Sequence, residues 1–326
     1  MSYRQPAEWM PHDAVWIGFP SDESLWLEDL EPAQAEVVAF AKAVSAKGAG
    51  EKVYLVAAHQ EAVETAKKMV DPEIEVICHP FGDIWLRDNA PLFVKEDDKK
   101  ALALFHFNGW GGKYNLEGDQ TIGRDLAKEA RLPVLEKDWV LEGGSIDGDG
   151  HGLVVTTEEC LLNPNRNPDL SREDIAYRLN NDLGYDRILW LKKGLHNDHT
   201  DGHVDNLARF VGENHLVLPI ATEQDDPNRE VYDQAAQIAE DFGVKVTRLP
   251  STGRIMIDDE VVPASYMNFY IGNKVVVVPV YGAKNDDAII EAIQPLFPDR
   301  KVVALPAGHI LTGGGSFHCI SQQWPA

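Results

Sequence analysis

Short apolar segments alternate with amphipathic segments along the whole chain. The apolar segments are rich in valine, isoleucine and phenylalanine and are bounded by turn residues, which is typical of β-strands. This pattern predicts strands at Lys52–Ala57, Glu75–Cys78, Ala101–Phe107, Gly152–Thr157, Arg187–Leu191, Asn206–Val211, His215–Pro219, Lys245–Arg248, Met267–Ile271, Lys274–Val280 and Lys301–Ala304.

The amphipathic segments between these strands predict helices. Val37, Val38, Ala41 and Val44, for example, recur at the spacing that places side chains on one helix face. Such patterns predict helices at Pro32–Ala46, Gln60–Met69, Gln120–Ala130, Arg172–Leu183, Pro227–Phe242 and Asp286–Leu296.

The order strand, helix, strand recurs about five times, and no Pro-, Ser- or charge-rich linker divides the chain. We therefore predict an α/β protein. A sharper echo links Asp88-Asn89 to Asp205-Asn206, because each pair is followed by three residues and then Phe-Val. Chance resemblance explains such an echo as well as a repeated module does. If the modules are real, Asp88 and Asp205 occupy equivalent places.

Composition and charge narrow the range of possible functions. Hydrophobic residues form 44 % of the chain, which is typical of folded proteins and excludes wholesale disorder. The formal net charge is −23, and this acidity argues against a nucleic-acid or anionic-membrane partner, since both need a basic face. A cationic small molecule is compatible with it.

The cysteines and the apolar runs suggest a compartment. Cys78, Cys160 and Cys319 are too few and too scattered for a disulfide framework or a CxxC metal site. The first residues contain no apolar core of a signal peptide, and the apolar run at Val275–Val280 is too short to span a bilayer. We expect a cytoplasmic protein.

One loop contains several potential metal ligands. His196, His199 and His203 have helical spacing, and Asp205 follows them. The glycine, asparagine and threonine residues between them are poor helix formers, so a loop is the better interpretation. A metal-dependent hydrolase that uses these four residues is kept as an alternative.

Cys319 is the best candidate nucleophile. It follows three glycines, which let the backbone approach a ligand closely, whereas Cys78 and Cys160 lie in apolar, strand-like contexts typical of buried structural thiols. The segment Phe317–Ile320 itself is predicted to be extended. A nucleophilic cysteine needs a proton-transfer partner, and His203 is the best candidate among eleven histidines.

Carboxylates complete the candidate site. Glu142, Asp88 and Asp205 each lie at a turn before a strand, where binding groups are commonly presented. Anions suppress a thiolate, so this acidic company favours a cationic substrate that neutralises it. A guanidinium fits, because its N–H groups match carboxylates bidentately.

Together, these motifs resemble the agmatine deiminase and bacterial-type peptidylarginine deiminase family of guanidine-modifying enzymes. The matching segments span nearly the whole chain in family order: Met10–His12, Trp85–Asp88, Phe107–Lys113, Leu141–Ser145, Leu161–Pro168, Asp201–Asp205, Pro263–Tyr270 and Gly313–Ile320.

The resemblance implies a five-bladed α/β propeller of the pentein type, with pseudo-fivefold symmetry, as a single domain over residues 1–326. It implies that Cys319 is the nucleophile and that His203, Glu142, Asp88 and Asp205 are the other catalytic residues. By the same resemblance, the substrate-binding residues are Asp88, Asp205, Asn268, Trp85 and Trp110.

The expected reaction is hydrolysis of agmatine to N-carbamoylputrescine and ammonia through a covalent cysteine intermediate, with no metal or organic cofactor. A peptidylarginine or free-arginine deiminase is the alternative, and a non-catalytic binding propeller is a third possibility. We also expect a homo-oligomer, most simply a dimer.

Overall fold

The computed structural model describes residues 3–326. Eleven helices lie in this part of the chain: α1 (Glu23–Trp26), α2 (Leu30–Ser45), α3 (Gln60–Met69), α4 (Leu86–Asn89), α5 (Gly109–Gly112), α6 (Ile122–Ala130), α7 (Glu158–Leu161), α8 (Arg172–Leu183), α9 (Arg229–Phe242), α10 (Asp286–Ile293) and α11 (Gly308–Leu311).

Eighteen strands lie in the same residues: β1 (His12–Phe19), β2 (Lys52–Ala57), β3 (Glu75–Cys78), β4 (Leu92–Glu96), β5 (Lys99–His106), β6 (Val134–Val140), β7 (Ile146–Gly148), β8 (Leu153–Thr157), β9 (Arg187–Leu191), β10 (Arg209–Gly212), β11 (His215–Ile220), β12 (Lys245–Pro250), β13 (Met256–Ile257), β14 (Glu260–Val261), β15 (Tyr270–Ile271), β16 (Val275–Val280), β17 (Lys301–Pro306) and β18 (Ser321–Pro325).

The strands form five small sheets and one two-stranded hairpin, β13–β14. Within residues 3–326, the sheet orders are β18-β1-β2-β3, β4-β5-β6, β7-β8-β9, β10-β11-β12 and β15-β16-β17. Each sheet contains one antiparallel pair and a following parallel pair, as β4 with β5 and β5 with β6 illustrate. The predicted α/β class is confirmed.

A helix crosses over between each parallel pair, as parallel strands require. Helix α2 joins β1 to β2, α3 joins β2 to β3, α6 joins β5 to β6, α8 joins β8 to β9, α9 joins β11 to β12, and α10 joins β16 to β17. The apolar face predicted for α2 is buried, with Val37, Ala41 and Val44 fully inaccessible. Burial of that face anchors the helix on its sheet.

Three predicted extended segments are shorter or absent. Strand β10 starts at Arg209 rather than Asn206, and β15 covers Tyr270–Ile271 without Met267. The segment Phe317–Ile320 is a turn in which the Ile320 amide donates to the Ser316 carbonyl at 3.2 Å. Local hydrogen bonds that hydrophobicity does not reveal form turns in these segments, so β10 and β15 start late and Phe317–Ile320 forms no strand.

Within residues 3–326, no helix combines the length and the apolar character that a membrane crossing needs.

Candidate active site

Five turns, each leading into a different sheet, present the candidate residues. Asp88, Glu142 and Asp205 each lie four residues before an antiparallel strand, which is β4, β7 or β10. Asn268 and Cys319 each lie two residues before β15 and β18. The Asp88/Asp205 echo therefore marks equivalent turns in two sheets, and Glu142 occupies the same place in a third.

Cys319 is buried, with 7 % of its surface exposed. Asn268 Nδ2 lies 3.0 Å from its sulfur, and Asp205 Oδ2 lies 3.6 Å away. Burial raises the pKa of the Cys319 thiol well above its usual range, and the charges of Asp205 and Asp88 raise it further. At neutral pH the sulfur is therefore a thiol in the absence of a cation.

Asp205 has one occupied and one free oxygen. Its Oδ2 accepts from His318 Nδ1 at 2.7 Å and from Asn268 Nδ2 at 3.3 Å, whereas the buried Oδ1 has no hydrogen-bond partner among residues 3–326. Burial alone would raise the pKa of Asp205, but His318 lowers it below its usual value. Oδ1 is thus a buried acceptor on an ionised carboxylate.

His203 lies between two acids. Its Nδ1 is 3.7 Å from Asp88 Oδ1, and its Nε2 is 3.9 Å from Glu142 Oε1. Burial opposes a charge on the ring, but Asp88 and Glu142 raise the pKa of His203 well above its usual range. The imidazole therefore carries a proton at neutral pH and can act as a general acid.

Glu142 is paired with a residue that the sequence interpretation had not singled out. Arg166 Nε lies 2.6 Å from Glu142 Oε1, and Arg166 Nη1 lies 2.6 Å from Asp201 Oδ2. Burial would raise the pKa of Glu142, but His203 and Arg166 lower it. Arg166 belongs to the segment Leu161–Pro168, but the sequence contains no signal that pairs it with Glu142, which lies 24 residues earlier.

Asp88 accepts two hydrogen bonds. Trp110 Nε1 donates to its Oδ2 at 2.9 Å, and the Gly144 amide donates to its Oδ1 at 2.9 Å. Burial raises the pKa of Asp88, and Asp205 and Glu142 raise it further although His203 opposes them. A bound cation would relieve this repulsion and favour the ionised carboxylate.

A cavity of about 220 Å³ leads to Cys319. Three tryptophans, Trp26, Trp85 and Trp110, line it. A β-carbon at Gly315 would lie 2.6 Å from the Trp85 ring and 3.0 Å from Cys319 Cβ, so only glycine fits between them. Trp85 and Trp110, both predicted substrate-binding residues, thus lie beside Cys319, whereas Trp26 was not predicted.

Asp83, also missed by the sequence interpretation, holds two of these tryptophans. Trp85 Nε1 donates to its Oδ2 at 2.7 Å and Trp26 Nε1 to its Oδ1 at 3.2 Å. Burial raises the pKa of Asp83 to about 7, and Asp119 contributes. The sequence offers only the pattern of an acid two residues before a tryptophan, which is too weak to predict this contact.

The four residues of the metal-dependent alternative do not form one ligand cluster. Within residues 3–326, one group of at least three acidic, histidine or cysteine ligands converges, and it comprises Glu142, Cys160 and His203. His196, His199 and Asp205 are outside it.

The remaining two cysteines differ from each other. Cys160 is buried, as predicted, in α7 beside His203 rather than in a strand. Cys78 is exposed in β3, so the prediction that it is buried was wrong. Its strand pairs on one side only, with β2, and therefore lies at the sheet edge.

The comparisons with known proteins agree with this arrangement. The family described as Porphyromonas-type peptidyl-arginine deiminase matches residues 4–325. The agmatine deiminase of Stutzerimonas stutzeri is 35 % identical, over 99 % of this chain and 96 % of its own.

Two solved structures share the fold. The agmatine deiminase of Enterococcus faecalis superposes with a TM-score of 0.93 at 31 % identity, covering 99 % of this chain and 96 % of its own. A cysteine-to-serine variant of C. jejuni agmatine deiminase with substrate bound has a TM-score of 0.91 at 29 % identity, with 99 % and 96 % coverage. The chain belongs to the Porphyromonas-type peptidyl-arginine deiminase family, as its motifs predicted.

Proposed function

We propose that this protein is an agmatine deiminase, which hydrolyses agmatine to N-carbamoylputrescine and ammonia. One observation carries the choice of substrate: the carboxyl groups that line the cavity are those of Asp83 and Asp88, and no arginine or lysine among residues 3–326 lines it. Agmatine is a guanidinium with a cationic tail. The acidic, tryptophan-walled cavity suits such a molecule through ion pairing and cation–π attraction.

Free arginine and peptidylarginine fit the cavity less well. The α-carboxylate of free arginine would need a cationic partner, and the nearby Lys113 is already paired with Asp201 at 2.6 Å. A peptide backbone would have to pass Trp26 and Trp85, which stand against the glycine segment Gly313–Gly315. Both substrates are therefore weaker candidates than agmatine.

Substrate binding prepares the nucleophile. Asp88 and Asp205 grip the guanidinium, with Asp205 Oδ1 as one free acceptor, and place its carbon near Cys319. The incoming positive charge offsets the two carboxylates that disfavour a thiolate. Cys319 then loses its proton to a solvent water, which carries it out of the cavity, and the amide of Asn268 donates to the developing sulfur anion.

The first chemical step forms a carbon–sulfur bond. The thiolate of Cys319 attacks the guanidinium carbon, and the resulting tetrahedral adduct is neutral. His203 gives its proton to one terminal nitrogen, the carbon–nitrogen bond breaks, and ammonia leaves. The product of this step is an S-alkylthiouronium cation on Cys319.

The second step consumes water. Neutral His203 takes a proton from water, and the hydroxide adds to the thiouronium carbon. The carbon–sulfur bond breaks, the remaining hydroxyl proton returns to the sulfur, and the ureido product is released. Glu142, held by Arg166, keeps His203 in register through both steps. Every group that these steps require is a side chain or water, so we propose no metal or organic cofactor.

The same proposal extends to the architecture. We infer that the five sheets are the blades of a pseudo-fivefold α/β propeller of the pentein type, which forms a single domain over residues 1–326. The repeated antiparallel-then-parallel pairing supports it, as do the five equivalent turns that carry the site residues. We further propose a cytoplasmic homodimer, which light scattering and fractionation of cells would test.

A direct assay tests the function. Purified protein is incubated separately with agmatine, free arginine and a peptide with an internal arginine, and ureido product and ammonia are measured. We expect kcat/KM for agmatine to exceed that for arginine and for the peptide by at least about a hundredfold. The reason is that the α-carboxylate of arginine and the backbone of the peptide would each lack a binding partner in the cavity. Equal or higher turnover of arginine or peptide would overturn the assignment.

A further inference from the structure

His318 lies directly before the nucleophile, and the mechanism above gives it no role. Its side chain is 1 % exposed and bridges two carboxylates. Nδ1 lies 2.7 Å from Asp205 Oδ2, and Nε2 lies 2.9 Å from Glu8 Oε2. Glu8 comes from the segment before β1, outside every motif discussed above.

The two contacts define the protonation of the ring. An ionised carboxylate can only accept a hydrogen bond, so each ring nitrogen facing one must be a donor. Burial would raise the pKa of Glu8, but Arg209 and His318 hold it well below its usual range. The pKa of Asp205 is likewise lowered. With both acids ionised, both ring nitrogens of His318 donate a hydrogen bond to a carboxylate.

Glu8 is held in place by further hydrogen bonds and ion pairs, and none of these groups contacts the His318 ring in place of Glu8. Arg209 Nη2 lies 2.6 Å from Glu8 Oε2, and the Ile271 amide donates to Glu8 Oε1 at 2.7 Å. Arg87 Nη2 is 4.0 Å from Glu8 Oε2. Asp147 lies beyond Arg209, with its Oδ2 3.5 Å from Arg209 Nε.

Asp205 and Glu8 are the charged groups that face His318 directly. Arg209, Arg87 and Asp147 surround Glu8. Cys319 and His203 lie around Asp205. Two carboxylates touch the ring, and the arginines touch Glu8. Each ring nitrogen of His318 therefore faces a carboxylate oxygen.

We propose that His318 is a positioning residue that holds Asp205 in the ionised state and in the one rotation that leaves Oδ1 free for the guanidinium. The inference rests on the proposed role of Asp205 in substrate binding. Because Asp205 Oδ2 is taken by His318, Oδ1 is the oxygen that faces no protein donor. Glu8 acts one step further back, by keeping the His318 ring protonated and in place.

Two variants test whether the charges of His318 and Glu8, rather than the shapes of their side chains, position Asp205. His318→Asn keeps a donor near the Nδ1 position but removes the positive charge, and Glu8→Gln keeps the shape of Glu8 but removes its negative charge. His309→Asn is the matched control, since His309 also pairs with a carboxylate, Asp29 at 2.6 Å, but is exposed.

We expect kcat/KM for agmatine to fall about tenfold to a hundredfold in His318→Asn, as for the loss of a charge-assisted hydrogen bond, and less in Glu8→Gln. A change in packing alone could do the same, so the deciding readout is the pH profile. His318 lowers the pKa of Asp205, so its removal raises that pKa. The acid limb of kcat/KM must move to higher pH in both variants and stay in place in His309→Asn.

A second readout is independent of turnover. The rate at which chloroacetamidine, a cationic reagent, alkylates Cys319 should show the same shift of its acid limb, because it needs the ionised Asp205. If wild type releases no ureido product from agmatine, the proposed function is wrong. The pH profile of alkylation still tests the proposed role of His318 in that case. An unshifted acid limb in folded Glu8→Gln and His318→Asn overturns the inference, whether or not turnover falls. If His318→Asn does not fold, Glu8→Gln alone decides.

Discussion

Asp205 Oδ2 lies 3.6 Å from Cys319 Sγ, so the candidate nucleophile rests beside an ionised acid. This neighbour opposes the thiolate that the chemistry needs. The contact is useful only if the substrate itself brings the compensating positive charge. The reactivity of Cys319 then depends on the charge of the ligand. A cationic ligand favours the reactive thiolate, whereas with water or a neutral electrophile in the site the sulfur stays a protonated thiol.

The first prediction follows from that contact. Burial and the charges of Asp205 and Asp88 raise the thiol pKa, so neutral chloroacetamide should alkylate Cys319 slowly at pH 7, and cationic chloroacetamidine should do so at least about a hundredfold faster. Inactivation rates and peptide mass spectrometry measure this, with agmatine as a protectant. Equal rates for the two reagents would contradict the electrostatic account of the site.

The second prediction compares the thiols of Cys319 and Cys78. Cys319→Ser should abolish turnover, to below about one part in a thousand, while agmatine still binds, because serine lacks the acidity to form the nucleophile in this acidic setting. Steady-state kinetics and calorimetric binding measure the two effects. Cys78→Ser is the matched control: its thiol is exposed on β3, so its activity should equal wild type. Turnover by Cys319→Ser would exclude a covalent cysteine intermediate.

The third prediction concerns the substrate grip. Asp205→Asn and Asp88→Asn each remove one side of a buried ion pair with the guanidinium. Such a loss costs on the order of 2–5 kcal/mol, which is about a thirtyfold to several-thousandfold decrease in kcat/KM. Asp13→Asn, which changes an exposed carboxyl at the start of β1, serves as control. Wild-type kinetics in either site variant would show that its acid is structural only.

The fourth prediction concerns stability and Asp83. Its pKa is about 7 in the folded chain because of burial, compared with 3.8 for the free group. The folded state therefore binds more protons than the unfolded state between about pH 4 and pH 7, so this group makes the free energy of unfolding fall as pH rises through that window.

Asp83→Asn removes the titration. The variant should be less stable than wild type at pH 5, because the NH2 group of asparagine cannot accept a hydrogen bond from a tryptophan Nε1 as the carboxyl oxygen does. The difference should shrink by pH 8, because wild type loses the stability that the protonated Asp83 contributes. Urea unfolding at both pH values measures it. A difference that is constant or grows with pH would show that Asp83 is ionised throughout. Asp147, whose pKa burial also raises to about 6, titrates in both proteins and cancels from the comparison.

The sequence predicted the regular elements more accurately than the turns between them. Strands β2, β3 and β9 and helices α3 and α8 begin and end where their hydrophobic periodicity predicted. Their bounds depend on local pattern and burial, which the sequence displays. The turn at Phe317–Ile320 was predicted to be extended, because its closing hydrogen bond to Ser316 leaves no trace in hydropathy.

The site residues also divide into those that the sequence predicted and those that it did not. Cys319, His203 and the three acids could be proposed because reactive residue types stand beside glycines and strand starts. Arg166, Asp83 and Glu8 could not be proposed, because each acts on a partner that is distant in the chain: Arg166 on Glu142, Asp83 on Trp26, and Glu8 on His318 more than 300 residues away. Such pairs are fixed by the tertiary fold, and one sequence alone does not specify them.

The pairing of β18 with β1 has a consequence for the mechanical stability of the site. The turn that carries Cys319 leads directly into β18, and β18 is antiparallel to β1. The position of the Cys319 sulfur is therefore tied to the integrity of the first sheet. Local unfolding that separates β18 from β1 would displace the sulfur from Asn268 and Asp205, although it leaves the other four turns in place.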